Sequence, residues 1–515
     1  MKNLPIGLQT LPKLRERNCV YVDKTKMVHQ LVSKGIYYFL SRPRRFGKSL
    51  LISTFKELFL GHKDMFIDTW IYENWDWSKM NPVIHFSFDN LGYKELGLRE
   101  AIVGEIKRKA EDFGITQTAE GLSPQFIELL EKIAKKHGQV VLLIDEYDKP
   151  IIDFLEFPPY EQAKVNQKVL REFYSVLKSA EPHLKFLFVT GVSKFARVSM
   201  FSDLNNITDI TLHPAYTTIT GYTQTELEFY FDDYLQLAVE ELKMNRETLR
   251  ETMRVKYNGF SWDGINKVYN PFGTLSFLDQ RRFRNYWFST GTPTFLINQM
   301  KKYVQFNIEN AQTNTLLLEK YDIDNLELVS LCFQTGYLTI KYIDPMSGQI
   351  VMDYPNEEVR ESMYQFIIDD MAYKPGQLNT GLTIRDVNKA FLANDLVQVK
   401  AIINSLLASL PYESYQNQSE GFYHGLLHLI FSYIGMFIES EPHLSRGRAD
   451  VVVQTPQYIY IFEFKFNKTA EEALTQIKTN SYADKYRAAE KVILGIGVNF
   501  DESKRQIDGW LTEVL

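Results

Sequence analysis

Gly47, Lys48 and Ser49 are residue types that hold a nucleotide's phosphates when they close a turn between a strand and a helix. Backbone N–H groups at the helix start surround a phosphate, the lysine reaches the β- and γ-phosphates, and the serine hydroxyl reaches Mg²⁺. Asp145 and Glu146, at the end of the run VVLLIDE, are the matching acids. Asp145 would support Mg²⁺ together with Ser49, and Glu146 would orient or deprotonate an attacking water. A second set lies far along the chain. Asp450, Glu463 and Lys465 offer two hard oxygen ligands for Mg²⁺ or Mn²⁺ and one cation for a developing phosphate charge.

These side chains need elements to aim them. The stretch Ile36 to Leu50 reads IYYFLSRPRRFGKSL, an apolar run followed by a polar turn, and a helical pattern continues to Leu58. It is therefore expected to be strand, loop and helix. Arg42 stands where the general phosphate loop has its first glycine, so the loop must turn by another route, with Pro43 fixing one dihedral. Arg44 and Arg45 add cations facing the same space. Val140 to Asp145 reads as a buried strand, and carboxylates at the carboxyl end of a strand lie where open α/β sheets bind ligands. In the third set, Asp450 opens a valine strand and Tyr458 to Phe466 forms the next one. Glu463 and Lys465, two apart, share one face while Phe462, Phe464 and Phe466 point to the other.

Composition limits the rest. A chain of 515 residues should hold two to four domains, and 45% hydrophobic with 24% charged residues is ordinary for a globular protein. The formal charge of −6 provides no global attraction for nucleic acid, so such binding must rely on local patches. Two cysteines, Cys19 and Cys332, exclude a disulfide framework and a cysteine-rich zinc site. The start, MKNLPIGLQT, lacks the apolar core of a signal peptide. The longest apolar stretch, Gly425 to Ile438, is short of the roughly 20 residues that span a bilayer. The expectation is a cytoplasmic protein with no membrane contact.

Along the chain, Asp23-Lys24-Thr25 precedes a helical pattern from Met27 to Ser33. The segment could cover a bound nucleotide, although an ordinary helix capped by Asp23 or Thr25 explains it more simply. Val83 to Phe88 reads as a strand, Leu96 to Phe113 and Ser123 to His137 as helices, Tyr160 to Ser179 as another, and Lys185 to Val189 as a buried strand. Thr190 ends that strand, placed to sense the γ-phosphate or the attacking water. Arg197 could be an arginine finger, or simply a surface arginine paired with Asp203.

LPIGLQTL, YVDKT, FLSRPRRFGKSL, LLIDEYDKP, TGVSKFARVSMFSDLNN and YWFSTGTPTFLI resemble the bacterial predicted AAA-ATPase family, whose members usually carry a PD-(D/E)XK nuclease-like domain at their carboxyl end. The resemblance implies an α/β multidomain protein with a P-loop NTPase core over residues 1–212, a parallel sheet flanked by helices. Arg44, Arg45, Phe46, Gly47, Lys48 and Ser49 would form the ATP loop, with Asp145 and Glu146 at the matching acidic positions. Residues 213–300 would be a helical lid. In it, Arg281, Arg282 and Arg284 interleave with Phe283, Tyr286 and Trp287, either as a nucleic-acid patch or, more simply, as a solvated helix face or interdomain contact. Residues 301–400 would be a winged-helix-like or helical connector, with a hairpin turning at Asp344 to Gly348. Cores of this kind often form rings, which makes a homo-oligomer an expectation with no interface legible here.

Residues 401–515 would be the nuclease-like domain, of restriction-endonuclease type. Asp450, about a dozen residues, then Glu463-x-Lys465 on an apolar hairpin matches the PD-(D/E)XK pattern, with Ala449 in place of the proline. Gln476, on the following helix, matches a motif extension found in many such nucleases. Glu420, His424, Glu439 and Glu441 are weaker candidates for nearby roles. Acids outnumber bases from residue 401 onward, so a polyanion needs metal or another domain to be held. Two functions follow: an ATPase coupled to metal-dependent cleavage of nucleic acid, DNA above all, or a nucleotide-switched binding or scaffold protein whose nuclease fold does not cut.

Overall fold

Apolar runs uninterrupted by polar residues form strands buried on both faces, as parallel sheets require. Three of them supply β1 (Tyr37–Ser41), β3 (Val140–Asp145) and β4 (Leu184–Gly191), where nearly every residue is buried. β2 (Val83–Ser87) alternates in burial as an edge strand, and β5 (Thr208–Asp209) closes the other side. The computed structural model describes residues 1–155, 160–194, 206–287, 296, 299–300, 308–319, 327–371, 380–408, 450–501, 503–504 and 506–515. Arg197, Asp203, Glu420, His424, Glu439, Glu441 and Ala449 lie outside the described residues.

All pairings in this sheet are parallel, in the order β2-β3-β4-β1-β5. In space, β4 is therefore the strand inserted between the phosphate-loop strand and the acidic strand. Helices cover both faces. The helix Lys48–Phe59 packs Phe55 and Phe59 against Phe186, while Phe126 and Phe173, from the helices Leu122–His137 and Glu161–Ser179, stack beside Phe86 opposite.

After this core come the helices Gln224–Tyr230, Asp232–Leu242, Arg246–Tyr257 and Pro271–Gln280, the first opened by a capping box between Thr223 and Glu226. Their apolar faces meet Val20 and Val22 of the amino-terminal segment in one cluster. The rings between 281 and 287 belong to this interior: Tyr286 and Trp287 are buried, and Phe283 packs on Tyr257 and Phe277. The buried rings of Tyr286 and Trp287 offer no face to a base, which favours an interior contact for that part of the cluster.

The helix Leu328–Thr335 precedes a hairpin of β7 (Thr339–Ile343) and β8 (Gln349–Asp353), and β6 (Ala311–Asn314) adds a third antiparallel strand. Here a helix is followed by a three-stranded antiparallel sheet. Leu328 through Gln334 are all buried, so this helix offers no surface for reading a groove. Residues Met1–Leu296 and Ala311–Val359 form one compact unit, and Ile297–Asn310 with Arg360–Leu515 form a second.

In the second unit β9 (Val451–Gln454), β10 (Tyr458–Phe466), β11 (Val492–Asp501) and β12 (Gln506–Val514) lie in the order β12-β11-β10-β9. The outer pairings are antiparallel and the central one is parallel, because the helix Ala470–Thr479 carries the chain across from β10 to β11. No helix among the described residues is long and apolar enough to cross a membrane.

Candidate functional site

Gly47 has φ of +86° and caps the helix Lys48–Phe59, a conformation that a residue with a Cβ adopts at a cost. The first N–H groups of that helix have no intrahelical acceptor and face a cavity of about 370 Å³. Arg44, Arg45, Phe46, Gly47, Lys48 and Ser49 all line it, and so does Glu146. The phosphate loop and the acidic strand therefore meet, as their sequences predict.

Lys48 is buried and its Nζ donates to the carbonyls of Arg42 and Pro43, each at 2.9 Å. Burial pulls its pKa down, while Asp145, Glu146 and Asp148 nearby push it up. Asp145 ends β3 with Oδ1 accepting from the Thr190 hydroxyl at 2.6 Å and from the Glu146 N–H at 3.0 Å. Thr190 and Asp145 are both buried, and of the acidic pair Glu146 is the one that lines the cavity. Glu146 sits in a left-handed backbone, φ +53°, and burial followed by the charge of Asp145 raises its proton affinity. No three acids, histidines or cysteines among the described residues form a metal-holding group. Mg²⁺ at a nucleotide site is commonly held by one or two carboxylates with phosphate oxygens and waters, and Ser49 with Asp145 suits that chemistry.

Arg42 does something else. It is fully buried, with Nη1 donating to Ser41 and Thr211 carbonyls, Nη2 to those of Tyr216 and Thr217, and its guanidinium 3.9 Å over Trp262. It ties the loop to the core, where the general pattern has glycine. Phe46 is similar: its ring is buried against Phe260 and Trp262.

Further residues complete the cavity, of which Asp89 and Lys149 have no role assigned from the sequence. Pro5, Gly7, Leu8 and Gln9 form one wall, so the amino-terminal segment does cover the cavity. The helix Thr25–Lys34 has Lys24 at its N-cap with no side-chain cap bond, and Asp23 instead accepts the N–H groups of Thr25 at 2.8 Å and Trp70 at 2.6 Å. Lys24 lines the cavity and pairs with Glu226 of the helical region at 2.6 Å. Asp89 and Lys149 line it too, 3.3 Å apart. Asp89 follows the carboxyl end of β2, so the strand-end rule that picked out Asp145 could have found it. Asp148 is structural, accepting from Ser193 N–H and hydroxyl at 2.6 Å each.

In the second unit, Val451 pairs with Phe462, and continuing this register sets Asp450 opposite Glu463. Asp450 Oδ2 accepts the Phe464 N–H at 2.8 Å. Lys465 Nζ donates to Glu463 Oε1 at 3.1 Å and to Gln476 Oε1 at 2.6 Å. The sequence reading separates the phenylalanines from Glu463 and Lys465, and the faces divide in that way. The helix Ala470–Thr479 covers the acid's side, which leaves Glu463 only 2% exposed. Gln476 extends through Tyr482, whose hydroxyl also accepts from Asn480 at 2.8 Å. Asp450 and Glu463 are hard-oxygen donors of the kind that hold a divalent cation, and Lys465 adds a positive charge beside them.

Residues 5–201 match a family described as Predicted AAA-ATPase, and residues 418–510 match the PD-(D/E)XK nuclease superfamily. An uncharacterized protein in the vnfD 5′ region of Azotobacter chroococcum mcd 1 is 36% identical over 527 residues, covering 100% of this chain and 99% of that protein. The Aeropyrum pernix ORC1 protein, solved in complex with DNA, aligns with 66% of this chain and 91% of its own at 10% identity. The TM-score of that alignment is 0.24.

Proposed function

The chain belongs to a bacterial family that joins a predicted AAA-ATPase region to a PD-(D/E)XK nuclease superfamily domain, and from that premise we propose an ATP-binding, ATP-hydrolysing protein whose second unit cleaves nucleic acid. The observation that carries the first half is the cavity that brings Gly47, Lys48 and Ser49 together with Glu146. Lys48 would leave the carbonyls of Arg42 and Pro43 for the β- and γ-phosphates, and Glu146 would orient the attacking water. Mg²⁺, held by Ser49 and Asp145, would neutralise phosphate charge.

In the second half, Asp450 and Glu463 would hold Mg²⁺ or Mn²⁺, which polarises the phosphodiester and lowers the pKa of a bound water. Lys465, aimed by Gln476, would steady the charge that develops on the phosphate. DNA is the preferred substrate and the cytoplasm the proposed place of action.

The test uses the full chain with single-stranded, double-stranded and branched DNA and RNA, with each metal, with and without ATP. Cleavage is expected, and Asp450→Ala should abolish it while ATP still binds. Lys48→Ala should abolish ATP binding. Wild type that leaves every substrate intact removes the nuclease half and selects the nucleotide-switched scaffold. Phosphate release equal in wild type and Glu146→Gln removes Glu146 from its role.

A further inference from the structure

Arg45 occupies the phosphate loop with φ of +66°, a left-handed backbone costly for any residue with a Cβ. Such conformations persist where the surroundings over-determine them, often at sites that use them. Here the neighbours on both sides are anchored. Lys48 holds the carbonyls of Arg42 and Pro43, Trp287 Nε1 donates to the Arg44 carbonyl at 3.1 Å, and the Phe46 ring is packed between Phe260 and Trp262. The Arg45 side chain is exposed, lines the same cavity as Lys48, Ser49 and Glu146, and sets its guanidinium 5.3 Å over the ring of Phe272. Phe272 is in the first turn of the helix Pro271–Gln280, which lines the cavity from the helical region. Of the loop's three arginines, Arg42 is consumed by the core; Arg45 is the one carried on a ring of the cavity's helical wall.

We propose that Arg45 is the transition-state cation for ATP hydrolysis, supplied by the same chain that binds the nucleotide and steadied by Phe272. The inference rests on the nucleotide reading of the cavity. In the step concerned, a water oxygen bonds to the γ-phosphorus as the bond to the β–γ bridging oxygen breaks. The electron pair of that bond stays on ADP, the water's proton passes to Glu146, and the products are ADP and inorganic phosphate. Negative charge shifts toward the bridging and γ-oxygens, where a planar, permanently charged guanidinium offers two parallel donors. A face-on aromatic partner positions that group without neutralising it.

Arg45→Gly is the informative variant, because glycine takes the left-handed backbone freely and the fold is retained. The kcat for phosphate release should fall about 10²- to 10³-fold, well beyond any loss of ATP affinity measured with a fluorescent ATP analogue. Arg45→Lys should recover part of the loss. Phe272→Leu should lower kcat less, and should add nothing in the Arg45→Gly background. Mixing Arg45→Gly with Lys48→Ala chains tests the source of the cation, since the latter have intact Arg45 but no nucleotide. The mixture is expected to remain inactive, and restored phosphate release overturns the proposal. So does an Arg45→Gly chain with weakened ATP binding and unchanged kcat, or a wild-type chain that binds ATP and releases no phosphate. In that last case the nucleotide reading stands, whereas failure to bind ATP at all removes the reading itself and the inference with it.

Discussion

Thr190 and Asp145 end neighbouring strands, and the 2.6 Å bond from the threonine hydroxyl sets the angle of the carboxylate beside Lys48. Both side chains are buried, so the bond is shielded from water. Thr190→Val keeps the shape and deletes the donor. It is expected to cost about 1–3 kcal/mol of stability, read by urea denaturation, and to lower Mg²⁺-dependent ATP binding or turnover. Thr190→Ser should restore both, and a valine variant with wild-type turnover would show that Asp145 needs no such support. The three loop arginines show why residue type alone does not assign a role. Arg42 is spent on four carbonyls and an indole, while Arg44 and Arg45 are exposed on the cavity. Which arginine is buried depends on Thr211, Tyr216, Thr217 and Trp262, all remote in sequence.

The metal-binding pattern of the second unit depends on two elements keeping their places. Antiparallel register sets Asp450 opposite Glu463, and a slip of one residue would send them to opposite faces. The helix Ala470–Thr479 brings Gln476 to Lys465, and it passes close over Gly497 on β11. A Cβ there would lie 2.1 Å from the Ala470 carbonyl oxygen and 2.7 Å from the Leu474 nitrogen. These are backbone atoms, which cannot rotate aside. Gly497→Ala should therefore destabilise the second unit by about 3 kcal/mol and shift the helix, weakening the Gln476 to Lys465 bond. Thermal denaturation and metal-dependent cleavage are the readouts. An unchanged melting temperature would mean that the helix does not rest on the strand as described.

At the scale of the whole molecule the named residues of each centre fall within one unit. Lys48, Ser49, Asp145 and Glu146 belong to the first, and Asp450, Glu463, Lys465 and Gln476 to the second. If ATP in the first governs nucleic acid in the second, linkage requires the effect to run both ways by one factor, commonly about 5- to 150-fold. The non-cleaving Asp450→Ala chain allows this to be measured at equilibrium. A DNA duplex should tighten ATP binding by the same factor by which ATP tightens DNA binding. Two unchanged affinities would mean that the units work independently.

Residues close in sequence carried much of this. The GKS turn, the acids ending an aliphatic strand and the E-x-K alternation are local patterns, in which a strand's period of two or a helix start places neighbouring side chains without help from distant chain. For the same reason the strand and helix positions were legible to within a few residues. Tertiary structure decided what depends on contacts between remote segments: β4 inserted between β1 and β3, and Pro5, Gly7, Leu8, Gln9, Pro271, Phe272 and Leu275 as cavity walls. It also decided that the helix Leu328–Thr335 and the rings of 283–287 face inward, because the apolar surfaces that cover them come from other elements, which no local pattern records.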